Sequence, residues 1–434
     1  MEAPPGIEAN DDQQSGIAIF AHRGLQLTAQ VINRDYDDDR ERFRTERTEA
    51  FEARQHFEPT ADTQGELYLS YLTNDSDFGR RIFRGQTWEG GGRLFWQGWE
   101  RHRWLLQFSY VDTRVEEAFL RLPPAPPGGP PPGGGPPPGG NPEPPPTPRS
   151  LNLRDVNLRS FGISLQDEYQ VSDRLSITAG LRFDRHDDLD STIITPRLAM
   201  VWRMADSHIF KAQYAEGYRT PTFWEAFSPG TLTELDPLTI ATTELSYIYR
   251  VPERVLRLTL FHSRFEDSVT QRGSPDFDFI NAGSARSAGV ELEWEQRWSP
   301  RFKTWFNLSY TDNHDDRITL LGPPTEQPDE DPLTTDWLGN LALFYQLTDR
   351  LLLTTHWNYV HERHSREVET SNEHRVAVTL NWFDVWTEGL TLRLGVRNLL
   401  EADQDSVFQL PPPGGTRTID YPDSLFWGQI SYDF

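Results

Sequence analysis

The sequence predicts an all-β protein, a large antiparallel up-and-down β-barrel that spans a membrane with about 18–22 strands. Three observations lead to this prediction. Side chains alternate between apolar and polar along many segments, connections alternate between short and long, and the chain ends on an aromatic strand.

The final strand is the most informative of these segments. Between residues 424 and 434, one face carries mainly aromatic and aliphatic side chains and the other mainly polar ones. Phe434, Tyr432 and Ile430 lie on the apolar face, and an ending of the type Tyr-x-Phe is typical of bacterial outer-membrane barrels. We therefore predict that these three residues form a barrel-assembly signal.

Several earlier segments repeat this period of two. They lie at residues 177–183, 256–260, 302–310, 376–382 and 392–396. A tilted membrane-spanning strand needs roughly 9 to 11 residues, and the longer of these segments approach that length. In one of them we expect Phe302, Phe306, Leu308 and Tyr310 to face lipid.

The connections predict the direction of every strand. Short polar turns are expected at 171–174, 204–207, 251–254, 299–301, 347–350 and 384–389, and long connections at 218–240, 266–285, 312–335, 361–373 and 401–423. With the carboxyl terminus in the periplasm, the short turns are periplasmic and the long loops extracellular.

Counting strands backwards extends this scheme to the start of the chain. Further strands are predicted near residues 156–171, 103–115, 90–98, 65–73, 47–58, 25–33 and 16–21. The total is about 19, an odd number, so the first and last strands run in the same direction. A parallel seam or an unsealed edge is expected between them.

The predicted domain organisation is simple. Residues 1–15 form a disordered amino-terminal segment, and residues 16–434 form the barrel domain. Residues 122–148 are almost wholly Pro and Gly, so they can neither supply ladder donors nor bury apolar area. We expect them to form an extracellular loop.

Composition excludes several functional classes. The 434 residues carry a net charge of −24, which argues against nucleic acid as a partner, and the absence of Cys excludes disulfides and thiolate metal sites. The acidic clusters at 35–39 and 184–190 are predicted to be solvated loops, the alternative being divalent-cation bridging. The sequence has no nucleophile elbow, phosphate loop or His-Glu-x-x-His motif, so we predict no catalytic residues, no metal site and no cofactor.

Candidate ligand-binding residues lie on a predicted exterior loop. Tyr218, Arg219 and Trp224 are predicted to line a ligand vestibule, the alternative being ordinary girdle and loop packing. His361 and His364 are interpreted as exposed loop histidines, with a metal or ligand contact as the alternative.

Four motifs carry a family resemblance. They are the Gly-aromatic-Arg-x-Pro-x-aromatic turn at 217–223, a Glu-containing strand opening at 243–247, the Asn-x-Gly-x-Ala-Arg-x-x-Gly-Val-Glu-Leu-Glu block at 281–293, and the Val-x-Asn-Leu element at 396–401. In this order, with the aromatic ending, the chain resembles the barrel of a TonB-dependent outer-membrane receptor.

The resemblance implies active uptake of a metal chelate (siderophore), cobalamin or a similar nutrient across the outer membrane of a Gram-negative bacterium. Its expected partners are the TonB complex, the barrel-assembly machinery, outer-membrane lipid and lipopolysaccharide, and a small-molecule ligand. No His lies between Tyr218 and Leu245, which disfavours haem uptake.

The beginning of the sequence departs from the family pattern. The expected signal peptide, energy-coupling box and plug domain are not recognised, so we expect an amino-terminally truncated or misannotated product that does not gate import. Two alternatives stay open, a plugless passive pore and a soluble β-rich carbohydrate-binding protein.

Overall fold

The structure is a computed structural model that describes residues 10–38, 42–77, 81–121, 150–187, 192–227, 234–272, 278–281, 283–315, 335–362, 371–401, 405–409, 416–420 and 424–433. The strands of its first half are β1 (Asn10–His22), β2 (Leu25–Asp38), β3 (Arg42–Thr60), β4 (Thr63–Asp77), β5 (Arg81–Trp96), β6 (His102–Arg121), β7 (Ser150–Ser172), β8 (Leu175–His186) and β9 (Thr192–Ala205).

The described part of the second half contains one short helix. Its elements are β10 (His208–Arg219), α1 (Phe223–Phe227), β11 (Leu238–Val251), β12 (Arg254–Glu266), β13 (Val269–Arg272), β14 (Asp278–Asn281), β15 (Ala285–Ser299), β16 (Phe302–Asp315), β17 (Trp337–Thr348), β18 (Leu351–Val360), β19 (Glu373–Trp382), β20 (Leu390–Arg397), β21 (Asp405–Gln409), β22 (Thr416–Asp420) and β23 (Leu425–Tyr432).

Within the described residues, nineteen strands form one antiparallel meander, which confirms the predicted all-β antiparallel architecture and its strand number. Each strand pairs with its neighbour along the chain, and the two small hairpins, β13–β14 and β21–β22, stand apart from the main sheet. Among the described strands, β1 pairs only with β2, and β23 pairs only with β20. The expected seam is therefore an unpaired edge, and both edge strands run toward the short turns.

Three of the short turns share one chemistry. In each, a hydroxyl oxygen accepts a hydrogen bond from the backbone N–H of an Arg two residues later, next to a β-bulge. These pairs are Ser172 and Arg174 at 3.3 Å, Ser299 and Arg301 at 3.2 Å, and Thr348 and Arg350 at 3.3 Å. The predicted polar turns at these places are confirmed.

The outward face of the sheet consists of apolar rows that cross several strands. Leu258, Leu292 and Leu308 are direct neighbours in one row, and Leu245 and Leu260 are neighbours in the next. Leu245 and Leu260 are about half exposed to the surroundings of the protein. Because apolar surface exposed to water costs about 25 cal/mol per Å², a lipid environment accounts for these rows.

The opposite face of the same strands is polar and lines the lumen. Ser246 lies beside Thr259 with a 3.0 Å contact between their hydroxyls, and Glu291 and Ser309 continue this row on β15 and β16. The structure thus places Leu308 and its predicted companions on the apolar outward face.

The structure changes several predicted boundaries. The first strand begins at Asn10, within the segment predicted to be disordered, and Asp35, Asp37 and Asp38 belong to β2 and not to a loop. Residues 122–148 and Phe434 lie outside the described residues. Within the described residues, no helix has both the length and the apolar character needed to cross a membrane.

Candidate ligand-binding site at the extracellular mouth

The candidate site lies at the end of the sheet that carries the long connections. Tyr218 and Arg219 are the last two residues of β10 and not loop residues as predicted, and Trp224 lies in α1. The structure therefore keeps all three residues at the mouth and gives them different roles.

Tyr218 is half-buried against β8. Its hydroxyl lies 3.0 Å from Nε2 of His186. Arg182 donates two hydrogen bonds of 2.7 Å to Asp184, which is 3% exposed. The prediction that Asp184 belongs to a solvated loop is wrong, because alternation places it on the inward face of β8 beside a paired guanidinium.

Arg219 is engaged within its own loop. Its Nη1 donates to Oε2 of Glu225 at 2.8 Å. Thr222 and Glu225 form a reciprocal capping box, in which Glu225 N donates to Oγ1 of Thr222 at 3.3 Å and Thr222 N donates to Glu225 Oε2 at 2.6 Å. Arg219 thus positions α1 instead of presenting a free charge to a ligand.

The same contacts set the ionisation of Glu225. Burial by itself raises the pKa of this carboxyl, but the hydrogen bonds from Arg219 and Thr222 outweigh burial and hold the pKa below its ordinary value. At neutral pH the carboxylate is charged, so the cap is intact.

The helix α1 presents an aromatic surface. Phe223 contacts Trp224 and Phe227, with ring centroids 5.7 and 5.0 Å away. Phe223 also meets Phe83 of β5 edge to face at 6.0 Å. Phe83 lies opposite Ala118 of β6, which is fully buried. The loop after β10 therefore packs against the outer end of β5.

Asn281 joins two of the long connections. Its Oδ1 accepts from the backbone N–H of Asp236 at 2.8 Å, and its Nδ2 donates to the carbonyl oxygens of Asp236 and Asp267 at 2.9 and 2.8 Å. One amide side chain thereby holds the segment before β11 against the end of β12. The sequence motif at Asn281 gave the family resemblance but no role for this residue.

The lumen wall below the mouth is polar and charged. A groove of about 440 Å³ is lined in part by Lys211, Gln213 and Glu244. Gln213 donates to Glu244 at 2.6 Å, and Arg257 donates to Glu293 at 2.6 Å. Such a surface binds water and polar solutes.

The predicted histidine pair is only partly described. His361 lies next to Tyr359 with ring centroids 6.4 Å apart, whereas His364 lies outside the described residues. In the part of the chain that the structure describes, no three His, Cys, Asp or Glu side chains are grouped to hold a metal ion.

Sequence reasoning missed several residues of this site. Arg182 falls on the polar face of the segment at 177–183 but was given no role, and continuing the alternation past residue 184 would have placed His186 on the same inward face of β8. Phe83 and Asn281 gave no usable signal, because their contacts join segments far apart in the chain.

Comparisons with known proteins agree with this architecture. The family described as "TonB dependent receptor-like, beta-barrel" matches residues 6–399. The iron-regulated outer membrane virulence protein of Vibrio cholerae serotype O1 is 24% identical over 269 residues, which is 55% of this chain and 40% of that protein. The match thus spans less than half the length of that relative.

Solved structures share the fold at low sequence identity. The siderophore receptor PirA from Acinetobacter baumannii gives a TM-score of 0.71 at 12% identity, over 98% of this chain and 71% of that one. The copper transporter OprC gives 0.68 at 15% identity, over 99% and 72%. The ferric-catecholate import receptor Fiu from K12 E. coli gives 0.66 at 12% identity, over 99% and 75%.

These findings set aside the soluble carbohydrate-binding alternative and an enzymatic role, since the matched family is one of transporters. The charged lumen and the apolar outer face agree with the same assignment. The chain belongs to the TonB-dependent receptor family and forms an outer-membrane β-barrel of a Gram-negative bacterium.

Proposed function

We propose that this barrel serves in the uptake of a chelated metal ion, with a ferric siderophore as the first candidate. The observation that carries the proposal is the aromatic helix α1, held at the mouth by Arg219 and Glu225 and leaning on Phe83. Aromatic rings fixed at a polar, charged entrance suit a large chelate with both flat apolar and polar surfaces.

The proposed ligand contacts are Tyr218 and Trp224, and Arg219 acts as a positioning residue. Metal chelates are favoured because the relatives cited above bear names that refer to iron, siderophores or copper. None of those names mentions cobalamin, so the proposal is restricted to metal chelates. The proposed partners are the TonB complex, the barrel-assembly machinery, and outer-membrane lipid and lipopolysaccharide.

The test is binding of a radiolabelled ferric siderophore to cells that export this chain and lack their own siderophore receptors. Trp224→Ala should weaken binding of the ferric siderophore about tenfold, because an aromatic contact at a binding surface contributes on the order of 1–2 kcal/mol. Trp386→Ala is the matched control, since Trp386 is 93% exposed in a turn at the other end of the sheet.

A planar-bilayer recording separates the alternative of a plugless pore. A large conductance that is unchanged by ferric siderophore, in a barrel that binds no ferric siderophore, would contradict the proposal and favour passive diffusion through the lumen. Equal binding by the Trp224 and Trp386 variants would remove the proposed ligand site alone.

A further inference from the structure

A shallow trough interrupts the apolar outward face of the sheet. It has a volume of about 440 Å³, and no polar atom contributes to its wall. Its lining comes from four successive strands of the main sheet, β12, β15, β16 and β17. The lining residues are Leu256, Leu292, Trp294, Phe306 and Leu341.

A fixed guanidinium lies at the periplasmic end of this trough. Arg254 is the first residue of β12, and its Nε donates to Oε1 of Gln296 at 2.5 Å. Gln296 is 6% exposed, and its Nε2 donates to the carbonyl of Arg297 at 3.0 Å. No described residue supplies an acceptor to the two Nη nitrogens of Arg254.

The strand register places Arg254 and the trough in the same order as the phosphate and the acyl chains of a phospholipid. Arg254 lies opposite Gln296, and the next outward pair on these strands is Leu256 opposite Trp294. Two residues along a strand are roughly 6.6 Å, which is the scale that separates a lipid phosphate from the beginning of its acyl chains. The guanidinium therefore lies at headgroup depth, and the trough lies deeper in the bilayer.

Aromatic side chains mark the same depth. Trp298 is 54% exposed, meets Trp294 at 5.7 Å and donates from Nε1 to Oγ1 of Thr304 at 3.0 Å. Trp is enriched at the membrane–water interface, where one part of its ring is wet and the other apolar. The short turn at 299–301 follows directly, which identifies this interface as the periplasmic one.

We propose that the outward wall of β12, β15, β16 and β17 binds one glycerophospholipid of the periplasmic leaflet. Its phosphodiester accepts hydrogen bonds from the Nη nitrogens of Arg254, and one acyl chain fills the trough. Lipopolysaccharide does not fit the site, because it occupies the opposite leaflet. A soluble anion would pair with Arg254 but leave the apolar trough empty.

The test is native mass spectrometry of the full chain, exported, purified in mild detergent and stripped of lipid. It is then offered phosphatidylethanolamine, phosphatidylglycerol or the diacylglycerol with the same chains. One phospholipid should bind and survive activation, and diacylglycerol should bind at least about tenfold less, since it lacks the group that accepts from Arg254. Equal binding of diacylglycerol would overturn the proposal without any variant.

Two variants test the headgroup contact and the acyl-chain trough separately. Arg254→Gln should lower phospholipid occupancy at least about tenfold, and Leu292→Trp should lower it by filling the trough. Arg174→Gln is the matched control, an Arg in another periplasmic turn. Heat-modifiable migration confirms that each variant is folded.

The remaining outcomes also decide the matter. Unchanged occupancy in folded Arg254→Gln, an equal loss in Arg174→Gln, or full competition by inorganic phosphate would overturn the proposal. If Arg254→Gln does not fold, Arg254→Lys replaces it and should keep phosphatidylglycerol bound over diacylglycerol, because the charge is retained. Loss of that preference in the Lys variant would count against the site.

Discussion

The early strands of the sheet are about twice as long as the late ones. β6 and β7 contain 20 and 23 residues, whereas β20 and β23 contain 8 each. Crossing a bilayer takes roughly 9 to 11 tilted residues. The late strands therefore do little more than cross, while the early strands rise well beyond the outer leaflet.

The outward-facing side chains of this extra length are joined mainly by ion pairs. Above the exposed Trp88, outward-facing side chains on β4 to β7 pair across strands. These pairs are Arg84 with Asp75 at 3.1 Å, Arg84 with Glu117 at 2.6 Å, Arg114 with Asp155 at 2.7 Å, Arg154 with Glu117 at 3.2 Å and Arg159 with Asp112 at 3.2 Å. Since the Arg side chains are about half exposed or more, water screens these pairs and each contributes little to stability. The backbone hydrogen bonds between strands thus provide most of the stability of this part of β4 to β7 beyond Trp88, which we call the tall wall.

The tall wall has a functional counterpart. Phe223 belongs to the loop after β10, yet it rests on Phe83 near the outer end of β5. A wall that ended at the membrane surface would offer no such support. The difference in strand length therefore creates the platform on which the candidate ligand-binding helix lies.

The largest expected effect concerns the short last strand, β23, and the end of the chain that follows it. Phe434→Ser should remove most of the folded barrel from the outer membrane, because Ile430 and Tyr432 expose an apolar outward face and the alternation in the sequence predicts the same face for Phe434. Asp433→Ser, on the other face, should have little effect. Heat-modifiable folding of exported protein measures both, and equal yields would contradict the assembly-signal prediction.

An Arg introduced on the outward face should distinguish the membrane-spanning part of the sheet from the part that extends beyond the membrane. Leu394→Arg, in the middle of β20, should lower the free energy of unfolding by about 2–4 kcal/mol, the cost of Arg near the bilayer midplane. Thr73→Arg, on β4 opposite Glu49, should change it by less than about 1 kcal/mol. Urea unfolding from lipid vesicles gives both values. Similar losses at the two positions would mean that the extension does not rise out of the bilayer.

The capping box at the mouth should respond to pH. Because the pKa of Glu225 is lowered in the folded loop, its stabilisation is complete above the ordinary carboxyl pKa and disappears as pH falls through the lowered value. Glu225→Gln should cost about 1 kcal/mol of local stability at pH 7 and little in acid. Amide hydrogen exchange of residues 223–227 measures this, with Asp206→Asn in a periplasmic turn as control. A variant that exchanges like the parent at pH 7 would show that the charge of Glu225 does not stabilise the cap, since Gln can still accept the hydrogen bond from Thr222.

The smallest effect is expected in the tall wall itself. Arg84→Gln removes two exposed ion pairs, so the free energy of unfolding should fall by no more than about 1 kcal/mol, and salt should reduce the difference. A loss of several kcal/mol that persists in high salt would show that charge, and not the ladder, supports the extension.

The general architecture was predictable because the sequence repeats it. Alternation along 302–310 gave the correct outward face, and the Ser or Thr before each Asp-Arg or Pro-Arg gave the turns. Strand ends in the tall wall were placed too early, since polar residues above the membrane no longer alternate with apolar ones. The predicted end near Val115 lies six residues before Arg121 for that reason.

The site was less predictable because its contacts are not local. The motif that includes Tyr218 and Arg219 led to the correct end of the barrel, but it did not reveal that Arg219 pairs with Glu225. The contacts of Asn281 with Asp236 and of Phe223 with Phe83 depend on how loops fold over the sheet. A pattern of alternating polarity contains no such information.

The common direction of the two edge strands limits self-association. A second copy inserted in the same orientation presents strands of the same direction at both of its edges, so any edge-to-edge contact between copies within the described sheet would be parallel. Parallel pairing is slightly weaker per residue than antiparallel pairing, and exposed edges are the usual templates for aggregation. The odd number of strands thus makes one copy a poor partner for the next, and antiparallel pairing at both edges requires an insert of one, three or another odd number of strands.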